Sequence, residues 1–345
     1  MKLRMVLPVI LFSLVLGACA SEPAGLTVMV HDSFAASADV FAEFEEANDI
    51  KVNILLGGDA GSMLNKAILT KNAPAADILY GVDNTFLSRA IAEGVFEPYQ
   101  SPLLMQISED LQLDKAYQVL PVDFGDVCIN YDKSYFQENG LDLPDSLAAL
   151  TLPEYKGLLV VENPATSSPG LAFLLATIAE YGEEGFQPYW QKLYDNEVVV
   201  VNDWNTAYYT NFSGSSGQGP QPMVVSYGTS PAAEVIFADP RPNEAPTASL
   251  TGKNMCFRQI EFVGILKGSK NRDLAEKFID FMLSQRFQED IPLNMFVFPA
   301  NIQAALPVEF QDFVQVPSQP ARLSVDQIAA GREKWIEAWR EVMLK

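Results

Sequence analysis

From Leu26 onward, short apolar runs alternate with amphipathic stretches along almost the whole chain, and this rhythm leaves few architectures open. Apolar runs bounded by turn residues and separated by segments of helical period are the pattern of α/β layers, with strands buried on both faces. Leu26 to His31, Val52 to Leu56 and Ala76 to Tyr80 read as strands. Ala38 to Asn48, with Val40, Phe41 and Phe44 on one face, reads as a helix, as do Ser62 to Thr70 and the stretch near Phe86 to Glu93. Gln118 to Asp123 and Val127 to Tyr131 are extended and interrupted by Phe124-Gly125-Asp126, where the chain is expected to pass from one lobe to another. A second block follows, with strands at Leu158 to Glu162, Val198 to Asn202 and Met223 to Tyr227, and helices from about Leu171 to Tyr181 and Phe186 to Tyr194. Ser213 to Pro222 and the proline-rich Asp239 to Pro246 read as loops. Gln259 to Leu266 returns as a strand and suggests a second crossing. Leu274, Phe278, Phe281 and Met282 predict one long helix to about Gln288, and Ser324-Val325-Asp326-Gln327 fits a capping box opening a final helix through Trp335 and Trp339.

The first residues point outside the cytoplasm. Lys2 and Arg4 form a basic start, and Met5 to Leu16 is an apolar run of signal-peptide length, too short to span a bilayer. Leu16-Gly17-Ala18-Cys19 resembles a lipobox, in which cleavage before Cys19 leaves that residue as the lipid-bearing N-terminus. The expected organisation is therefore a lipoprotein signal peptide at 1–18 and a lipidated tether at 19–25, attaching the protein to the membrane by its lipid alone. The remaining chain, about 320 residues, exceeds what one hydrophobic core usually organises, so two lobes are expected.

The net charge of −21, from 44 acidic and 23 basic residues, argues against nucleic acid as a partner, because phosphates demand Lys and Arg. It favours solubility and, more weakly, cationic ligands. Cys128 and Cys256 lie in extended segments that either pair as a disulfide in an oxidising compartment or remain two buried thiols. A single histidine, His31, excludes multi-histidine zinc sites, and no HExxH, CxxC, GxSxG, Walker A or GxGxxG pattern occurs. The reading is of a protein that is not an enzyme and that needs no metal and no cofactor.

His31-Asp32-Ser33-Phe34-Ala35 resembles the Tyr-Asp-Ser-Phe-Ala start of the thiamine-binding proteins of bacterial ABC importers. The likeness continues through Ser62-Met63-Leu64-Asn65, Gly81-Val82-Asp83-Asn84, Pro121-Val122-Asp123-Phe124-Gly125, Thr166-Ser167-Ser168-Pro169-Gly170, Trp204 with Ala207-Tyr208, Thr229-Ser230-Pro231-Ala232 and Trp335-Ile336. The short pieces are weak singly, but their order and spacing are specific. The resemblance implies an α/β periplasmic-binding-protein type II fold, two α/β lobes joined by hinge strands with a ligand cleft between them. Lobe I would comprise 26–122 with 259–300, and lobe II 123–258 with 301–345, including the C-terminal helix. It implies a solute-binding lipoprotein, a monomer that delivers thiamine or a thiamine phosphate to a separate permease and ATPase.

Carried over position by position, the resemblance places ligand against Asp59, Ala60, Ser167, Ser168, Trp204, Tyr208, Tyr227, Gly228, Thr229, Ser230, Pro231 and His31. Asp59 would accept from the aminopyrimidine, and Trp204, Tyr208 and Tyr227 would offer faces to flat or cationic rings. Ser167 and Ser168 precede a helix start where an anion such as a phosphate would sit, although the same serines also suit simple capping. The pattern departs from the family at four places. His31 stands for a tyrosine, a tryptophan near Ser37 is missing, Ala233 stands for a tyrosine and Phe296 for a tryptophan. Ring surface would then have to come from Tyr209, Phe34 or His31, and a thiamine phosphate or a pyrimidine precursor is a related ligand. Within the same fold, Tyr208-Tyr209 offers adjacent phenols of the kind that hold ferric iron, and other small organic cations suit the acidic balance.

Overall fold

The computed structural model describes residues 24–58, 60–214 and 219–344. The expected signal segment, Cys19 and Asp59 lie outside the described residues, as does the middle of the Ser213 to Pro222 loop. A first run of elements comprises β1 (Ala24–Val30), α1 (Ala38–Asn48), β2 (Ile50–Leu56), α2 (Ala60–Leu69), β3 (Ile78–Asp83), α3 (Leu87–Ala92) and β4 (Phe96–Glu97). The long β5 (Leu120–Asp132) leads into α4 (Lys133–Asn139), β6 (Leu159–Glu162), α5 (Ser168–Asp195), β7 (Val199–Val201), β8 (Met223–Tyr227), α6 (Ser230–Phe237) and β9 (Thr247–Leu250). β10 (Phe257–Leu266) returns toward the first run and is followed by α7 (Arg272–Leu283), α8 (Gln285–Gln288), α9 (Ile291–Asn294), β11 (Phe298–Pro299), α10 (Val308–Phe313) and α11 (Val325–Met343).

Strand order is β2-β1-β3-β10-β5-β8-β6-β7. β1 is parallel to β2 and β3, and β6 is parallel to β7 and β8, so each lobe owns a parallel unit of the kind that helices must cover. Between the two units, β10 runs antiparallel to β3 and β5, and β5 antiparallel to β8. These two strands join the α/β lobes. Every residue of β3 is buried, which explains its apolar run from Ile78 to Val82. β1 starts at Ala24, inside the expected tether, because Ala24 and Gly25 pair with Ile50 and Lys51; the ladder recruits residues that carry no apolar signal of their own.

Two expectations about breaks are corrected. Phe124-Gly125-Asp126 does not interrupt β5, where Phe124, Gly125 and Asp126 pair with Ile260, Gln259 and Arg258. Gly125 is there for close approach: a Cβ would lie 3.0 Å from Tyr227 Cδ1 and 3.2 Å from Val297 Cγ1. The helix expected to reach Gln288 instead stops at Leu283, where Ser284 turns extended and its hydroxyl donates to Phe281 O at 2.6 Å. The two helices expected around residues 171–194 form α5 with a break at Gly182, whose φ of 70° favours glycine.

The capping box at Ser324 and Gln327 is present, and α11 lies against both α5 and α3, bridging helices of the two lobes. Trp335 and Trp339 are buried, and Trp339 meets Trp190 edge to face at 5.7 Å. Cys128 and Cys256 form a disulfide, which settles the alternatives left by the sequence. The bond follows from register. Val127 opposes Phe257 on the paired joining strands, so the preceding and following cysteines meet across the ladder.

Candidate functional site

A cleft of about 980 Å³ opens between the lobes. The loop after β1 (His31, Asp32, Ser33) and Ala60 form one wall, and the start of α5, Trp204 to Asn205, Tyr208, Tyr209 and α6 form the other. Tyr227, Gln259 and Glu261 supply the floor from β8 and β10, and Asn294 to Val297 close one side.

The second wall is built around aromatic rings fixed by hydrogen bonds. Asp203 accepts from the Thr206 N–H and hydroxyl, both at 2.8 Å, and so starts the π-helical turn Thr206–Asn211. That turn stacks Tyr208 on Trp204 at 4.8 Å and sets Tyr209 edge-on to both. Trp204 Nε1 donates to Ser226 Oγ at 2.9 Å, and Ser226 Oγ lies 3.0 Å from Ser230 Oγ, so the indole cannot swing without breaking a buried chain. The Tyr208 hydroxyl donates to Glu234, whose other oxygen accepts from Thr247 Oγ1 at 2.6 Å. Burial pushes the Glu234 carboxyl up to about 7, and burial beside Glu234 pushes the Tyr208 hydroxyl well above its usual range.

The strands that carry the floor are acidic, although of the three carboxyls only Glu261 lines the cleft. Glu261 on β10 stands opposite Asp83 on β3 and Asp123 on β5, which sets three carboxyls in one row across adjacent strands. Such a row repels itself when charged. The Tyr80 hydroxyl donates to Asp123 and, at 3.2 Å, to Glu261, while Gln259 Nε2 donates to Asp83 Oδ2 at 2.6 Å. Burial, opposed in part by the Thr85 hydrogen bond, holds Asp83 at about 6, and burial with the neighbouring Glu261 pushes Asp123 well above the carboxylate range. His31 Nε2 lies 3.4 Å from Glu261 Oε2, and the Tyr227 hydroxyl donates to Gln259 Oε1 at 3.3 Å.

Of the expected ligand residues, the cleft brings together His31, Ala60, Ser167, Ser168, Trp204, Tyr208, Tyr227 and Ser230. Gly228, Thr229 and Pro231 are buried and do not line it; Thr229 instead donates its hydroxyl to Phe296 O and braces the neighbouring side. Ser167 caps α5, accepting from Gly170 N at 3.4 Å, while Ser168 reaches the cleft. Among the rings offered as replacements, Tyr209 and His31 line the cleft, whereas Phe34 packs edge-on against Tyr80 and does not. Glu234, Gln259 and Glu261 were not expected. Glu234 lies four residues past Ser230 and so shares its helix face, and Gln259 and Glu261 alternate on one face of a returning strand, which are signals the sequence does carry. No lysine or arginine is found among the described residues lining the cleft, against four carboxylates, Asp32, Asp203, Glu234 and Glu261.

Two α/β lobes joined by crossing strands, with a deep cleft of rings and carboxylates between them, define a protein that encloses a small solute. The model of the bacterial extracellular solute-binding protein family matches residues 73–319, and the chain belongs to that family. The thiamine-binding periplasmic protein of Salmonella typhimurium is 31% identical over 322 residues, covering 92% of this chain and 93% of the relative. The thiamine-binding periplasmic protein of Brucella melitensis is 29% identical over 351 residues, with 98% of each chain covered. Among solved structures, a periplasmic thiamin binding protein superposes with a TM-score of 0.79 at 28% identity, covering 92% of this chain and 96% of that one. The family is one of extracytoplasmic binding proteins and not of enzymes.

Proposed function

We propose that this protein captures thiamine outside the cytoplasm and hands it to the permease of an ABC importer. The observation that carries this reading is the charge and ring content of the cleft: stacked Trp204 and Tyr208, edge-on Tyr209, and four carboxylates with no lysine or arginine among the described lining residues. A flat ring system with a fixed positive charge matches those surfaces. The long likeness to thiamine-binding periplasmic proteins supports the same ligand. The ligand-contacting set comprises Ala60, Ser167, Ser168, Trp204, Tyr208, Tyr227 and Ser230, with His31 from the opposite wall and Asp59, the residue before Ala60 in sequence. Gly228, Thr229 and Pro231 support the wall from behind. The absence of lysine and arginine among the described lining residues favours thiamine over its phosphates, for which the start of α5 offers backbone N–H groups and the hydroxyls of Thr166, Ser167 and Ser168. Ferric iron fits less well, because Tyr208 is tied to Glu234 and buried, both of which oppose a phenolate.

The lobes, 26–122 with 259–300 and 123–258 with 301–345, close on the ligand by bending at β5 and β10. A monomer tethered through a lipid on Cys19, after removal of 1–18, presents the closed lobes to a permease whose ATPase is a separate chain. Native mass spectrometry of unfolded and refolded protein tests the ligand: one thiamine per chain is expected, with a weaker adduct for the diphosphate. Ferric iron retained in preference to thiamine would overturn the reading. Small-angle scattering is expected to show compaction when thiamine is added.

A further inference from the structure

Four carboxylates line the cleft, and their surroundings divide the labour among them. Asp203 is spent on starting the Thr206 turn, Asp32 is exposed and accepts from Gly58 N, and Glu261 faces His31 and the Tyr80 hydroxyl. Glu234 differs. It is half-buried on α6, its two oxygens each accept one neutral hydroxyl proton, from Tyr208 and Thr247, and its Tyr208 partner is the ring stacked on Trp204. The carboxylate therefore sits at the edge of the aromatic shelf, fixed in place, with lone pairs left over.

We propose that Glu234 is the counter-ion of the cleft, the residue that selects a ligand carrying a permanent positive charge over a neutral ligand of the same shape. This assignment deepens the thiamine reading and rests on it. The charges around Glu234 are Asp132, which opposes its ionisation, and Lys133, which favours it; the Lys133 ammonium donates to Ala245 O at 2.8 Å. Tyr208 and Thr247 are neutral donors, and on the neighbouring α10 Glu309 is engaged by Arg241 at 2.5 Å. With burial pulling Glu234 toward the neutral form in the empty cleft, an arriving cation restores its charge and is held in a dry, low-dielectric place, where charge pairing is strongest. A neutral isostere finds no such partner.

The test is a calorimetric titration of the full mature protein and of Glu234→Gln with two probes, thiamine and its uncharged carbon isostere 3-deazathiamine. The substitution keeps the shape and an acceptor for Tyr208. It is expected to weaken thiamine by about tenfold or more and to leave 3-deazathiamine within about twofold. Equal affinity of both proteins for thiamine would overturn the counter-ion role. An equal loss for both probes would also overturn it, by assigning Glu234 to positioning Tyr208 alone. Failure of the unsubstituted protein to bind thiamine would instead overturn the ligand reading, and the charge assignment with it.

Discussion

Removing the disulfide by the paired substitution Cys128→Ala with Cys256→Ala isolates what the cross-link contributes to this fold. The bond joins β5 to the residue preceding β10 and closes a loop across a sequence separation of 128. Loop-closure entropy for that length is worth about 4.9 kcal/mol to the folded state, and about 3–5 kcal/mol is the expected measured loss. For a chain of this size that loss lowers the thermal midpoint by about 4–7 °C. Both sulfurs are fully buried and neither cysteine lines the cleft, so ligand affinity should stay within about twofold. Urea unfolding of the two proteins, read by tryptophan fluorescence, gives the difference directly. A double variant within about 1 kcal/mol of the parent would refute the reasoning, because the ladder between Val127 and Phe257 would then hold the joining strands in register unaided.

Other outcomes follow from the same geometry. Burial holds Asp83 near 6 and pushes Asp123 and Glu162 well above the carboxylate range, so the folded chain binds protons that the unfolded chain has already released. The share of Asp83, about 3 kcal/mol, is therefore fully present below the unfolded carboxylate range and is lost as pH rises through about 6, while the shares of Asp123 and Glu162 go on being lost above that; a denaturation midpoint that climbs from pH 5 to pH 8 would contradict this. Gly170→Ala would place a Cβ 2.5 Å from Glu162 O, so the start of α5 must shift; a loss of about 1–3 kcal/mol in thermal unfolding, with weakened binding, is expected. Trp204→Ala should weaken thiamine roughly tenfold by removing the ring stacked on Tyr208, while Trp204→Phe retains most of the affinity, as fluorescence-independent equilibrium dialysis would show.

The α/β alternation, both α1 boundaries, all of β8 and the capping box of α11 were legible because each rests on a local signal: periodicity, turn residues or a capping pair. The continuity of β5 was not. Gly125 reads as a breaker until Tyr227 and Val297 are seen to need its missing side chain. The end of α7 at Leu283 was hidden because Ser284 diverts its hydroxyl to the backbone inside an otherwise regular apolar stripe. At the site, Trp204 and Tyr208 were legible through resemblance, but the row Asp83–Glu261–Asp123 depends on register between strands far apart in sequence, which no local pattern encodes. Glu234 escaped for a different reason: a lone acid on a short helix looks like a solvated face until the shelf beside it is known.

The central claim, that this cleft holds thiamine, is tested most directly by calorimetric titration of refolded protein with thiamine. One-to-one binding that is lost in Asp59→Ala and sharply reduced in Trp204→Ala is the expected result. No heat from protein shown to be folded, or binding indifferent to both substitutions, would contradict it.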